Sequence, residues 1–358
     1  MRLERFISLM KGRGFDGALI SPGTNMYYLT GLQVHEAGER LTLLVTGSDG
    51  SYRLLAPGLY KNVVGNFPAT FWRDGENPYE KLAWILAEFK LSSGKLLVED
   101  TMRSDWLINI LRISNRDFEF YPLSSVIREL RMRKDEHEIE LMKHAAKVVD
   151  RVFEELLGWE LLGMRESELA LKMELRIREL SDGISFEPIV ASGENAANPH
   201  HAPGKRRLRK GDLVILDYGA KWRGYCSDMT RTIALGKPNE RLVEIYKVVK
   251  EAQEEAYKTV RVGTKAKEID GAARETIAKA GYGEYFTHRT GHGLGLDVHE
   301  EPFIGPDGEV TLENGMTFTI EPGIYVPGLG GVRIEDDIGV IDGRGKRLTR
   351  AERELIIV

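Results

Sequence analysis

Apolar and polar positions alternate between two periods along the first third of the chain. Met1 to Arg13 repeats its apolar residues at helical spacing, and Gly17 to Ile20 is a short apolar run closed by Ser21-Pro22-Gly23. Leu41 to Thr46 and Tyr52 to Ala56 are two further runs joined across Gly47-Ser48-Asp49-Gly50, a hairpin signal. The pattern then predicts a helix over Pro78 to Lys90, a strand over Lys95 to Glu99, a helix over Asp105 to Ile113 and a strand over Phe118 to Tyr121. Such alternation reads as a small α/β domain over residues 1–125, and it carries no catalytic cluster.

The remainder, residues 126–358, opens with a long helix starting at Asp135. Ile139, Met142, Ala146, Val149, Phe153 and Leu156 recur three and four apart, a stripe read as core. A second helix is expected over Glu166 to Leu180, ending before Asp182-Gly183, with two more over Glu240 to Thr259 and Ala266 to Lys279. Gly-punctuated strands fill the rest, so the fold class is α/β (α+β) in two domains. No internal repeat or low-complexity segment interrupts it.

Composition narrows the functions. The 358 residues contain 42% hydrophobic residues, enough for two cores, and the net charge of −5 is spread along the chain. That balance gives no support for a nucleic-acid or anionic-membrane partner. Lys205 to Lys210 holds five basic residues and is read as a solvated loop. Cys226 is the single cysteine and is read as a small buried side chain; no intrachain disulfide can form. Charges at Arg2, Glu4, Arg5, Lys11 and Arg13 break every apolar run at the start, and no run approaches the ~20 residues of a membrane span. A cytoplasmic protein is expected.

Acidic residues at strand ends supply the chemistry. Leu213 to Leu216 runs apolar into Asp217, and Asp228 opens a second strand-like run to Leu235. An ionised carboxylate in such a place needs a counter-charge. If the chain reverses at Lys221-Trp222-Arg223-Gly224 through a simple two-residue turn, Asp217 and Asp228 face each other with Cβ atoms about 4.5–5.5 Å apart. Two carboxylates that close repel unless a cation lies between them. The arrangement recurs: Met316 to Ile320 leads into Glu321, and Val332-Arg333-Ile334 leads into Glu335, with Pro327 to Gly331 turning the chain. Asp336 and Asp337 are expected in a solvated turn or loop.

Histidine completes the set. His292 sits in Gly291-His292-Gly293-Leu294-Gly295, whose glycines are expected to let backbone crowd a ligand. His299 and His200 stand apart as further candidates, whereas His35, His137, His144 and His288 are read as ordinary surface or core residues. Four carboxylates and one imidazole form a hard, oxygen-rich donor set, suited to pairs of Mn(II), Co(II), Fe(II) or Zn(II). Two bridged metals can hold a hydroxide at neutral pH and polarise a carbonyl or phosphoryl oxygen. Residue types alone reach a metal-assisted hydrolase and no substrate.

Five stretches together resemble the pita-bread metallopeptidases, which include methionine aminopeptidase, aminopeptidase P and prolidase. They are Leu216-Asp217-Tyr218-Gly219, Ser227 to Thr232, Thr290 to Gly295, Thr319 to Gly323 and Arg333 to Asp337. The resemblance spans about 128–358, and the preceding domain resembles the N-terminal domain of prolidase, aminopeptidase P and creatinase. By that resemblance Asp217 chelates one metal, His292 and Glu321 the other, and Asp228 and Glu335 bridge the two. Glu321 also manages the proton of the bridging hydroxide that attacks the scissile carbonyl. The resemblance further makes His200 and His299 substrate contacts that stabilise the tetrahedral intermediate, Arg333, beside the last ligand, a catalytic and substrate-binding residue, and Phe186 a wall for a proline-like ring.

The resemblance thus implies hydrolysis of the bond before proline in Xaa-Pro dipeptides, with aminopeptidase P activity on longer peptides as the alternative. A metal-free creatinase-like hydrolase and a non-catalytic binding module are the other readings; both are expected to have lost ligands that are intact here. A homodimer is expected, in which His35, Glu36, Glu39 or Arg40 of the loop Gly31 to Arg40 closes the partner's site. The other reading of those residues is a charged surface loop.

Overall fold

The computed structural model describes residues 2–34, 38–114 and 117–358. The chain divides between Leu130 and Arg131 into two compact units. The division falls within a helix, a few residues beyond position 125.

In the first unit, α1 (Arg2–Gly12) leads to β1 (Gly17–Ile20), α2 (Thr24–Thr30), β2 (Leu43–Gly47), β3 (Tyr52–Pro57), α3 (Lys61–Val64) and β4 (Ala69–Trp72). Then follow α4 (Pro78–Glu88), β5 (Gly94–Val98), α5 (Ser104–Ile113), β6 (Phe118–Pro122) and α6 (Ser124–Met132). The six strands form one mixed sheet in the order β4-β3-β2-β1-β5-β6. Leu19, Leu43, Val45, Leu55 and Leu96 of the strands bury against Leu82, Ile85, Trp106 and Ile110 of α4 and α5. The β2–β3 hairpin pairs antiparallel as the two apolar runs predict. Helix α2 was not legible: its Thr, Tyr and Asn residues are weak helix formers, and tertiary burial of Met26, Tyr28 and Leu29 overrides that preference. Of the loop expected to reach a partner, His35 and Glu36 lie outside the described residues. Arg40 is ion-paired with Asp74 at 3.0 Å.

The second unit opens with α7 (Glu136–Leu156), whose N-cap is the expected Asp135; its carboxylate accepts from the Glu138 N–H and Glu138 bonds back. All six residues of the predicted stripe are buried. There follow α8 (Glu166–Leu180), β7 (Gly183–Ile184), β8 (Ile189–Ser192), β9 (Leu213–Tyr218), β10 (Ala220–Trp222), β11 (Tyr225–Cys226) and β12 (Met229–Ala234). Then come α9 (Glu240–Thr259), α10 (Ala266–Lys279), β13 (Gly291–Gly293), β14 (Glu300–Ile304), β15 (Thr317–Ile320), β16 (Gly323–Val326), β17 (Gly330–Arg333), β18 (Asp336–Ile341) and β19 (Arg344–Arg347).

Two similarly built halves result. In one, α7 and α8 bury Val149, Phe153, Leu169 and Met173 against Val214, Leu216 and Ile233 of the sheet β12-β9-β8. In the other, α9 and α10 bury Ile245, Val249, Ile269 and Ala273 against Phe318, Ile320, Val332 and Ile338. No helix among the described residues is long and apolar enough to cross a membrane.

Candidate metal centre

Asp217 is the penultimate residue of the buried strand β9, but its partner is not Asp228. The turn lies at Arg223-Gly224, both with positive φ, so the register moves and Asp217 pairs with Thr230. A positive φ at both turn residues matches the tight hairpin geometry that follows strand twist. The chain then leaves the ladder at Ser227-Asp228, where Gly219 is required: a Cβ there would lie 2.1 Å from the Ser227 carbonyl. Asp228 is therefore a diagonal neighbour of Asp217, and both line one cavity.

The second pair is closer to expectation. The ladders β15–β18 and β16–β17 run on one register, and Glu321 and Glu335 fall opposite each other at the break between them. Leaving the ladder frees both side chains from the pleat. Thr230 ties the two hairpins together: its carbonyl accepts the Glu335 N–H at 3.1 Å and its hydroxyl donates to Glu335 Oε2 at 2.7 Å.

His292 comes from β13, with glycine on either side. A Cβ on Gly291 would lie 1.9 Å from the Thr319 carbonyl, and one on Gly293 would lie 2.3 Å from Glu301. These glycines admit the neighbouring strands rather than a ligand, correcting the sequence expectation. The His292 Nδ1 faces the Gly293 carbonyl at 3.1 Å, leaving Nε2 toward Glu321 Oε1 at 3.3 Å and Asp228 Oδ2 at 3.7 Å.

Burial dominates the electrostatics. It drives the Asp228 and Glu335 carboxyls well above the usual carboxylate range, reinforced by their acidic neighbours, and lifts Glu321 to about 7. Burial, then the charge of His299, lowers His292 to about 3. Asp217 Oδ1, Asp228 Oδ1 and Glu335 Oε1 are each buried with no hydrogen-bond partner. Orphaned buried acceptors are costly, and a cation is the partner their chemistry fits. Ligand atoms of Asp228, His292 and Glu335 all lie within 4.8 Å of one another. The donor set therefore fits divalent metal.

Asp336 and Asp337 correct a second expectation, for both are fully buried in β18 rather than solvated. Asp337 accepts the Asp228 N–H at 3.1 Å. Asp336 accepts from Arg231 at 2.7 Å and Gln253 at 2.9 Å. Arg231 also donates to the Glu335 carbonyl and to the Ala351 and Glu352 carbonyls, so the C-terminal segment braces the carboxylate hairpins. Cys226 is buried as expected, and burial pushes its thiol up to about 12.

The cavity encloses about 430 Å³. Phe186, His200, His299 and Arg333 line it together with Asp217, Asp228, His292, Glu321 and Glu335. Arg333 donates to Asp217 Oδ2 at 2.5 Å, to the Tyr325 hydroxyl at 2.9 Å and to the Pro199 carbonyl at 3.3 Å. His288, expected to be ordinary, also lines the cavity, with Nε2 2.9 Å from the Tyr325 hydroxyl; burial lowers it to about 4. Arg289 lies beside it and stacks over Phe303 at 4.2 Å. No local sequence signal marks His288 for this place.

Comparison with known proteins agrees with this geometry. Residues 140–342 match the model of metallopeptidase family M24, and residues 2–133 match the creatinase/prolidase N-terminal domain. The crystal structure of a dipeptidase from Pyrococcus horikoshii is 71% identical, with a TM-score of 0.99 over 100% of both chains. A prolidase from Thermococcus sibiricus is 48% identical, with a TM-score of 0.96 over 100% of this chain and 98% of that one. A curated Xaa-Pro dipeptidase of Pyrococcus horikoshii is 36% identical over 99% of this chain and 98% of its own. With its buried carboxylates and histidine on paired hairpins, and a creatinase/prolidase N-terminal domain preceding them in sequence, this chain belongs to metallopeptidase family M24.

Proposed function

We propose that the chain is a metal-dependent dipeptidase that hydrolyses the bond before proline in Xaa-Pro dipeptides. The observation that carries this reading is the convergence of partnerless buried carboxylate oxygens of Asp228 and Glu335 beside His292, on a cavity that Asp217, with its own partnerless oxygen, also lines. Two divalent ions per subunit are the proposed occupants, Mn(II) or Co(II) first, Zn(II) or Fe(II) otherwise. Asp217 would hold one, His292 and Glu321 the other, and Asp228 and Glu335 both. When bound, they supply Lewis acidity toward the scissile carbonyl and toward water.

The chain's own groups do the rest. Glu321 accepts the proton of the attacking water and returns it to the leaving imino nitrogen. His200 and His299 donate to the carbonyl oxygen as charge develops there. Phe186 offers an apolar face to the pyrrolidine ring, and Arg333 holds Asp217 in place. Arg289 has no ion-pair partner among the described residues, so it offers a cation to the free carboxylate of a short substrate. The dipeptidases and prolidases among the similar proteins support the same substrate class. The enzyme is also proposed to be a homodimer, which sedimentation at working concentration checks.

The test pairs an Xaa-Pro dipeptide with an Xaa-Pro-Xaa tripeptide, each offered to chelator-stripped protein with and without Mn(II) or Co(II). Metal-dependent cleavage of the dipeptide alone is expected. Preferential cleavage of the tripeptide would move the assignment to an aminopeptidase P, and cleavage of neither would overturn the substrate.

A further inference from the structure

Glu166 begins α8, and its side chain is fully buried. The helix does not need it as a cap, because Glu168 already accepts the Arg165 N–H at 2.8 Å. Its hydrogen bonds run instead to the segment 192–204. Oε1 accepts from the Ser192 N–H at 2.9 Å, the Ser192 hydroxyl at 2.6 Å and Asn195 Nδ2 at 3.1 Å. Oε2 accepts from Asn195 at 3.1 Å, His201 Nε2 at 2.8 Å and the Gly204 N–H at 3.2 Å. Burial alone would raise this carboxyl; the bonds from Ser192, His201 and Asn195 outweigh it and hold it below its ordinary value.

These donors bracket His200 on both sides. The opposite face of the same segment is packed just as tightly, for a Cβ on Gly331 would lie 2.1 Å from the Ala196 carbonyl. Arg333 reaches the Pro199 carbonyl from the cavity. The segment carrying His200 is thus clamped between a buried carboxylate and β17, and among the described residues the His200 side chain makes no hydrogen bond that would fix it.

We propose that Glu166 is a positioning residue, which sets the backbone of 192–204 so that His200 reaches the substrate. The inference rests on the proposed role of His200. It is tested by a double-mutant cycle on the metal-loaded enzyme: wild type, Glu166→Gln, His200→Ala and the double variant, assayed on an Xaa-Pro dipeptide. Small misplacements of a reacting group cost up to about a hundred-fold, so Glu166→Gln should lower kcat/KM by about ten- to a hundred-fold. In the His200→Ala background the same change should cost less than about two-fold. Bound metal should stay at the wild-type ratio, and amide exchange should quicken at 192–204.

If Glu166→Gln does not fold, Asn195→Ala runs the same cycle with a smaller factor, since Ser192, His201 and Gly204 still satisfy the carboxylate. A loss that persists undiminished without His200, or no loss at all, overturns the inference while the functional reading survives. A fully active His200→Ala enzyme removes the proposed role of His200 and the inference with it, while the dipeptidase reading survives.

Discussion

At the scale of single residues, the centre is a set of like charges held together at a cost. Asp217, Asp228 and Glu335 each keep a buried oxygen that no protein donor satisfies, and burial disfavours the charged forms of Asp228 and Glu335. Asp228→Asn is therefore expected to raise the melting temperature of the metal-free protein, by about 2–4 °C per kcal/mol of relieved repulsion. The same variant should lose most of the stabilisation that Mn(II) gives the wild type. Calorimetry with and without metal checks both signs; a drop in the metal-free melting temperature would contradict the account. Arg289 makes a separate case. Arg289→Met should raise KM for an Xaa-Pro dipeptide about ten-fold or more while changing KM for the corresponding amide little, because only the former carries the carboxylate.

The acids that line the cavity stood out in the sequence, because Asp217, Glu321 and Glu335 follow largely apolar runs and Asp228 opens one, places where an unpaired charge is anomalous. What was not legible depends on partners distant along the chain. His288 reads as ordinary until Tyr325 is brought to its ring. Asp336 and Asp337 read as a turn because nothing local reveals Arg231, Gln253 and the Asp228 N–H waiting for them.

At the scale of elements, local geometry decides where each ligand points. The Asp217 hairpin is displaced from the simplest register because Arg223 and Gly224 form the turn, and turn position is only weakly encoded. Helices α8, α9 and α10 were expected at their observed bounds, since caps and a 3.6-residue period are local signals. Strand β13 depends on absent side chains. Gly291→Ala should force β13 from β15, destabilise the fold by about 1–3 kcal/mol or more, and displace His292. Denaturant unfolding measures the first effect and metal affinity the second.

Beside the cavity, Glu300 of β14 bonds Lys134 at 2.6 Å and also Arg131. Burial would raise its carboxyl, but Lys134 and then Arg131 hold it below the usual range. A depressed folded pKa gives stability that is present above the unfolded value and lost as pH falls through the folded one. Glu300→Gln should thus cost about 3–5 kcal/mol at neutral pH, with the penalty fading below about pH 4. A penalty independent of pH would contradict an ionic role.

At the scale of the whole molecule, two helix-backed halves of the second unit each contribute acids to one cavity, and the C-terminal segment locks onto it through Arg231. The sequence foretold two domains and the chemistry of the second, but not the likeness of its halves, whose sequences share no visible repeat. The family membership and the cavity together make metal-dependent peptide hydrolysis the function on which the other predictions depend. The most direct measurement titrates Mn(II) or Co(II) into chelator-stripped protein while following both bound metal and hydrolysis of an Xaa-Pro dipeptide. No turnover is expected without metal, with turnover rising with occupancy and saturating at two ions per chain. Full turnover by the stripped protein, or metal binding unchanged when Asp228 and Glu335 are both replaced by their amides, would contradict it.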